Sequence, residues 1–177
     1  MGKIRIIGGE HRSRQLPVLN HDGLRPTLDR VKETLFNWLG QDLTGKTCLD
    51  LFAGSGSLGF EAVSRNAKQV VMVEQNNQVT KQLEQNKLLL KADNLQIING
   101  DGLKFLQTCQ LKFDVIFLDP PYNSVLLEQS LAQIENVLAE DGVIYAEYQQ
   151  ECDLSQFTII KHGKAGVVNF VLLQRKE

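Results

Sequence analysis

From Thr47 onward, short apolar runs alternate with stretches in which apolar residues return every three or four positions. The runs Thr47–Leu51, Gln69–Glu74, Leu95–Asn99, Phe113–Leu118 and Val143–Tyr148 predict five strands buried on both faces. The stretches at about 57–65, 77–91, 102–108 and 125–138 predict the helices between them. In the last of these, Leu127, Leu131, Ile134 and Leu138 mark the buried side. Such alternation builds a mostly parallel, doubly wound α/β sheet with right-handed crossovers. Phe157–Lys161 and Gly166–Leu173 then predict an antiparallel hairpin at one edge, which brings the sheet to seven strands.

The first forty residues follow a different pattern. Lys3-Ile4-Arg5-Ile6-Ile7 alternates basic and apolar positions, so a strand here buries Ile4 and Ile6 and exposes Lys3 and Arg5. Gln15–Leu19 can pair back on it across Gly8-Gly9, placing Arg12 and Arg14 near the bend. Thr27 is a candidate N-cap for a helix with Asp29 in its first turn. Leu28, Val31, Leu35, Trp38 and Leu39 form its apolar stripe, with Trp38 in the core. The chain therefore divides into an N-terminal hairpin-and-helix extension, 1–40, packed on a main domain, 41–177.

Composition narrows the class. The 177 residues are 42% hydrophobic and 23% charged, which is ordinary for a soluble globular protein. No apolar run approaches the roughly 18–20 residues of a membrane span, and no signal-peptide core is present. Cys48, Cys109 and Cys152 lack metal-ligand spacing, so we expect reduced thiols, no metal and a cytoplasmic location. The net charge of −2 is unevenly spread. Residues 1–32 carry seven Lys or Arg against three acidic residues, and the remainder is strongly acidic. A basic arm on an acidic body suggests a local contact with a polyanion.

Two motifs carry chemistry. The first is Asp50-Leu-Phe52-Ala-Gly54-Ser-Gly56-Ser-Leu-Gly59 after the first of the five strands. The glycines satisfy the dinucleotide-binding spacing, and Glu74 ends the next strand where ribose hydroxyls are gripped. A dinucleotide oxidoreductase is thus one reading. Asp50 speaks against it, because a carboxylate there would repel a pyrophosphate and attract a cofactor with an ammonium and a sulfonium. S-adenosylmethionine carries both. Asp101, past the third strand, is placed to accept from an adenine amino group. The second motif is Asp119-Pro120-Pro121-Tyr122, where the prolines stop a buried strand. Its carboxylate and carbonyls only accept hydrogen bonds, and the tyrosine ring offers a stacking face. Together they suit the exocyclic amine of a nucleobase, at the sheet edge where open α/β proteins bind ligands.

With both motifs placed, the chain resembles the class I, Rossmann-like S-adenosylmethionine-dependent methyltransferases with an Asp-Pro-Pro-Tyr loop. Within these it is most similar to the RsmD family of bacterial 16S ribosomal RNA guanine-N2 methyltransferases. The resemblance rests on Arg5-Ile-Ile-Gly-Gly, Arg12 and Arg14, on Arg25-Pro-Thr-Leu-Asp-Arg-Val-Lys-Glu-Thr-Leu-Phe-Asn-Trp-Leu39, and on the two motifs above. It implies Asp50, Phe52, Gly54, Gly56, Glu74, Asp101 and Gly102 as cofactor contacts, and Asp119 to Tyr122 as the catalytic loop. Arg25 and Thr27 would lie over the methionine end of the cofactor or the target nucleotide. Lys3, Arg5, Arg12, Arg14 and Arg30 would contact RNA, within an assembled 30S subunit, and the protein would be a monomer. The implied reaction is methyl transfer to a guanine N2, leaving S-adenosylhomocysteine. An N6-adenine methyltransferase and a non-catalytic nucleotide-binding protein are the other readings. Three positions depart from the family pattern: Ser13 and Gly102, where glycine and alanine are usual, and Ala165, where an aromatic residue is usual.

Overall fold

The computed structural model describes residues 2–19, 28–121 and 124–177. Its centre is a seven-stranded sheet of β3 (Thr47–Asp50), β4 (Gln69–Glu74), β5 (Leu95–Asn99), β6 (Phe113–Leu118), β7 (Leu138–Tyr148), β8 (Phe157–Ala165) and β9 (Val168–Arg175). The spatial order is β5-β4-β3-β6-β7-β9-β8. The β5 to β7 pairings are parallel, whereas β9 runs antiparallel to both its neighbours. The strand order reverses between β3 and β6. A crevice opens at such a switch point, at the C-terminal ends of the strands.

Helices cover both faces. One face packs against α1 (Asp29–Trp38), α2 (Ser57–Ser64), α3 (Asn77–Leu90) and the hairpin of β1 (Gly2–Arg5) and β2 (Gln15–Val18). The other packs against α4 (Gly102–Thr108) and α5 (Ser124–Leu131). Ile4, Ile6, Leu16, Val31, Leu35 and Phe36 share one apolar cluster with Cys48, Phe60, Phe117 and Tyr145. The basic extension is therefore continuous with the core of the sheet. Helix α1 lies along α2 in the same direction, since Lys32 meets Glu61 and the Phe36 ring meets Arg65 one turn further on. Trp38 is half-buried and stacks on Phe170 of β9, with centroids 5.3 Å apart.

Two local expectations change. Helix α1 starts at Asp29 with Leu28 in the cap position and no side-chain cap bond; Thr27 lies outside the described residues. The helix expected over 125–138 ends at Leu131, followed by a 3-10 turn at Ile134–Val137, and Leu138 already pairs with Phe113. The reason is distant in sequence. The Arg175 guanidinium of β9 donates to the carbonyls of Glu135, Leu138, Ala139 and Glu140, at 2.6 to 3.3 Å, and so draws the chain out of the helix.

Candidate active site

The glycine loop is folded by its lack of side chains. Gly54 and Gly56 have φ of 55° and 80°, a region costly for residues with a Cβ. A Cβ on Gly56 would stand 2.6 Å from the Phe60 ring and 2.8 Å from Leu83. On Gly59 it would stand 2.4 Å from Met72. The loop is thereby pressed onto α2, α3 and β4.

Carboxylates hold the loop in shape. Glu74, half-buried at the end of β4, accepts the Gly54 N–H at 2.9 Å and the Asn76 N–H at 2.7 Å. Asp101 caps α4 by accepting the Lys104 N–H at 3.0 Å. Gly102 beside it faces Phe52, whose ring would lie 2.9 Å from an added Cβ. The structure thus brings Phe52, Gly54, Gly56, Glu74, Asp101 and Gly102 to one sheet edge.

Asp50 ends β3 at the foot of the loop. Its carboxylate is buried beneath the loop and accepts the Gly59 N–H at 3.0 Å. Burial pushes its pKa up to about 7, against the lowering effect of the Gly59 bond and with a smaller contribution from Glu74. Through the Gly59 bond Asp50 braces the loop from below.

Strand β6 ends at Leu118, leaving Asp119 half-buried, Pro120 buried and Pro121 exposed at the switch point. Tyr122, Arg25 and Thr27 lie outside the described residues. Beside this exit stands a residue that the sequence reading passed over. Phe117 pairs with Tyr145 and Leu118 with Ala146 of β7, so Glu147 follows that pairing on β7 as Asp119 follows it on the chain leaving β6. Glu147 is buried, and the Tyr145 hydroxyl donates to it at 2.7 Å. An acidic residue closing an apolar strand was a visible signal, of the same kind that pointed to Glu74.

The basic residues differ in their surroundings. Lys3, Arg12 and Arg30 are exposed, but Arg5 is paired with Asp29 at 2.8 Å. Lys32, counted with the arm, is buried and donates to the Arg5 carbonyl at 2.6 Å; burial lowers its pKa. Arg14 donates to the Leu89 carbonyl in the last turn of α3, near the N-terminal ends of the strands. That is one strand length, about 20 Å, from Asp119. A cavity of about 400 Å³ opens on the same far side, lined by Glu10, His11, Arg14, Lys91 and Asn94 among others. Arg5 pairs across the hairpin with Gln15, so Arg5, Arg12 and Arg14 stand around the same bend.

No group of three or more potential metal ligands occurs among the described residues, and no described helix is long and apolar enough to cross a membrane. A family model described as conserved hypothetical protein 95 matches residues 4–174. The ribosomal RNA small subunit methyltransferase D of Haemophilus influenzae is 46% identical, with 98% of this chain and 94% of that protein covered. The solved Escherichia coli protein yhhF, a candidate methyltransferase, superposes with a TM-score of 0.89 at 37% identity and covers 99% of both chains. An RNA methyltransferase of Salinibacter ruber, solved with S-adenosylhomocysteine, shares the fold with a TM-score of 0.69 at 15% identity over 86% of this chain and 95% of that one.

Proposed function

The chain belongs to the conserved hypothetical protein 95 family, together with the ribosomal RNA small subunit methyltransferases D, and from that premise we propose that it methylates the N2 amine of a guanine in 16S ribosomal RNA with S-adenosylmethionine as donor. The observation that carries this reading is the Asp119-Pro120-Pro121 exit of β6, set beside the glycine loop of β3 at the switch point of the sheet.

The residues present fit a nucleoside cofactor. The left-handed glycines allow close backbone approach, Glu74 is fixed where ribose hydroxyls would meet it, and the Gly102 backbone with the Phe52 ring offers a flat apolar wall. When bound, the cofactor supplies a methyl group already activated on a positively charged sulfur.

The protein's contribution is to hold the acceptor. The N2 lone pair of guanine is delocalised into the ring and weakly nucleophilic. Asp119 and the Pro120 carbonyl accept the two N2 hydrogens and fix the amine, so that its lone pair can turn toward the donor. The developing positive charge on N2 lies against the Asp119 carboxylate, which also stands ready to take the proton that N2 sheds. The base reaches these groups only when unstacked, which favours a loop or an opened helix end. The exposed Lys3, Arg12 and Arg30 would meet RNA phosphates away from that base. A protein with so little surface for sequence reading would depend on a preassembled 30S particle, and it would act as a monomer.

Mass mapping of 16S ribosomal RNA from cells with and without the protein tests the reading. One guanine should lose 14 mass units at N2 when the protein is absent (the mass of a CH2 group, about 14). An unchanged RNA, or loss from an adenine, overturns it.

A further inference from the structure

Glu147 has no part in the scheme above, yet it directly follows the β7 residue that pairs with the end of β6. Strands β6 and β7 pair in parallel, with Phe117 opposite Tyr145 and Leu118 opposite Ala146. Phe117 and Tyr145 belong to the cluster beneath α1, while Leu118 and Ala146 belong to the opposite cluster. Side chains alternate along a strand, so Asp119 and Glu147 continue on the Phe117–Tyr145 face. Neighbouring strands are about 4.8 Å apart, so this register carried one residue further would set the two carboxylates side by side.

The Glu147 carboxylate is also oriented. It is 8% exposed, and the Tyr145 hydroxyl, itself fully buried, donates to its Oε2 at 2.7 Å. Tyr145 is in turn packed edge-on against Phe117, with centroids 6.4 Å apart. The carboxylate is thus carried on a rigid strand and steered by a rigid ring, which is the arrangement a reading group requires.

The chemistry of the base completes the case. Guanine presents N1–H and the N2 amine as adjacent donors, whereas adenine presents N1 as an acceptor beside its N6 amine. Building on the guanine-N2 reading above, we infer that Glu147 is the base-selecting residue, accepting the guanine N1–H while Asp119 and the Pro120 carbonyl hold N2. Two acceptors side by side match two adjacent donors. With adenine or any purine lacking N1–H, the Glu147 acceptor meets another acceptor, the N1 lone pair, and a site built for a donor rejects a base that lacks it.

The test uses small-subunit particles reconstituted with RNA carrying either guanine or 2,6-diaminopurine at the mapped acceptor position. Diaminopurine keeps the N2 amine but has a bare N1. The wild-type protein should methylate guanine about a hundredfold faster than diaminopurine. Glu147→Gln presents an amide that can donate to the bare N1 and also accept from N1–H. It should keep guanine turnover within about tenfold while the preference for guanine falls by at least about tenfold. Binding of S-adenosylhomocysteine, followed by calorimetry, should be unchanged in the variant and shows that it is folded.

Equal wild-type rates on the two bases overturn the inference. So does a Glu147→Gln variant that keeps the wild-type preference, or one that loses both activities alike, since each marks a structural role only. If the wild-type protein transfers no methyl to guanine N2, the underlying reading fails instead, and the inference falls with it.

Discussion

Glu61 and Lys32 face each other at 3.5 Å with 0% and 1% of their side chains exposed, and they join α2 to the N-terminal extension. Glu61 also takes the N–H groups of Ile7 and Gly8 at 3.0 and 3.1 Å and Nε of Arg65 at 2.9 Å. One carboxylate therefore anchors the arm to the body. Removing one partner of a buried pair leaves the others as uncompensated charge, at a cost of about 3–5 kcal/mol. Glu61→Gln should lower the urea midpoint by a corresponding amount. Lys32→Met, which leaves the Glu61–Arg65 pair in place, should lower it less.

Asp50 makes stability depend on pH. Its folded pKa is raised to about 7 from 3.8 by burial. Between those values the folded chain holds a proton that the unfolded chain has released, so stability falls as pH rises through the window. The full effect is of order 4 kcal/mol. Asp50→Asn, which keeps an acceptor for the Gly59 N–H, should flatten this slope and gain stability at pH 7.5 relative to the wild type. Urea titrations at pH 5 and pH 7.5 read both changes.

Asp119→Ala removes the acceptor for the amine and leaves the glycine loop untouched. Methyl transfer should fall by about a hundredfold or more, as when one preorganised polar group is deleted from an active site. Affinity for S-adenosylhomocysteine should stay within about twofold (a margin under 0.5 kcal/mol). Single-turnover rates and calorimetry separate the two.

Ser13 sits at φ 72°, in the left-handed region, and its N–H donates to the Ile6 carbonyl at 2.8 Å to close the hairpin bend. A residue with a Cβ pays about 1–3 kcal/mol there. Part of that gain is returned when glycine loosens the unfolded chain. Ser13→Gly should therefore stabilise the protein by about 1 kcal/mol, seen as a rise in the thermal midpoint.

Element type and order came directly from hydrophobic period, because burial on one or both faces of a strand or helix writes itself into local spacing. The glycine loop, Glu74 and the Asp119-Pro120-Pro121 exit were readable for the same reason: chain reversal and proline chemistry act within a few residues. The long-range bonds were not. The end of α5 depends on Arg175, some forty residues away, and the fate of Lys32 and Arg5 depends on Glu61 and Asp29. Nothing local in the sequence shows that Asp50 is buried under the loop, where loss of water raises its pKa. Glu147 came level with the exit of β6 only through strand register. A sequence records which groups a chain owns, but which of them keep water, which find partners and which stand side by side is settled when distant segments close on one another, since both solvation and Coulomb energy depend on distance in space.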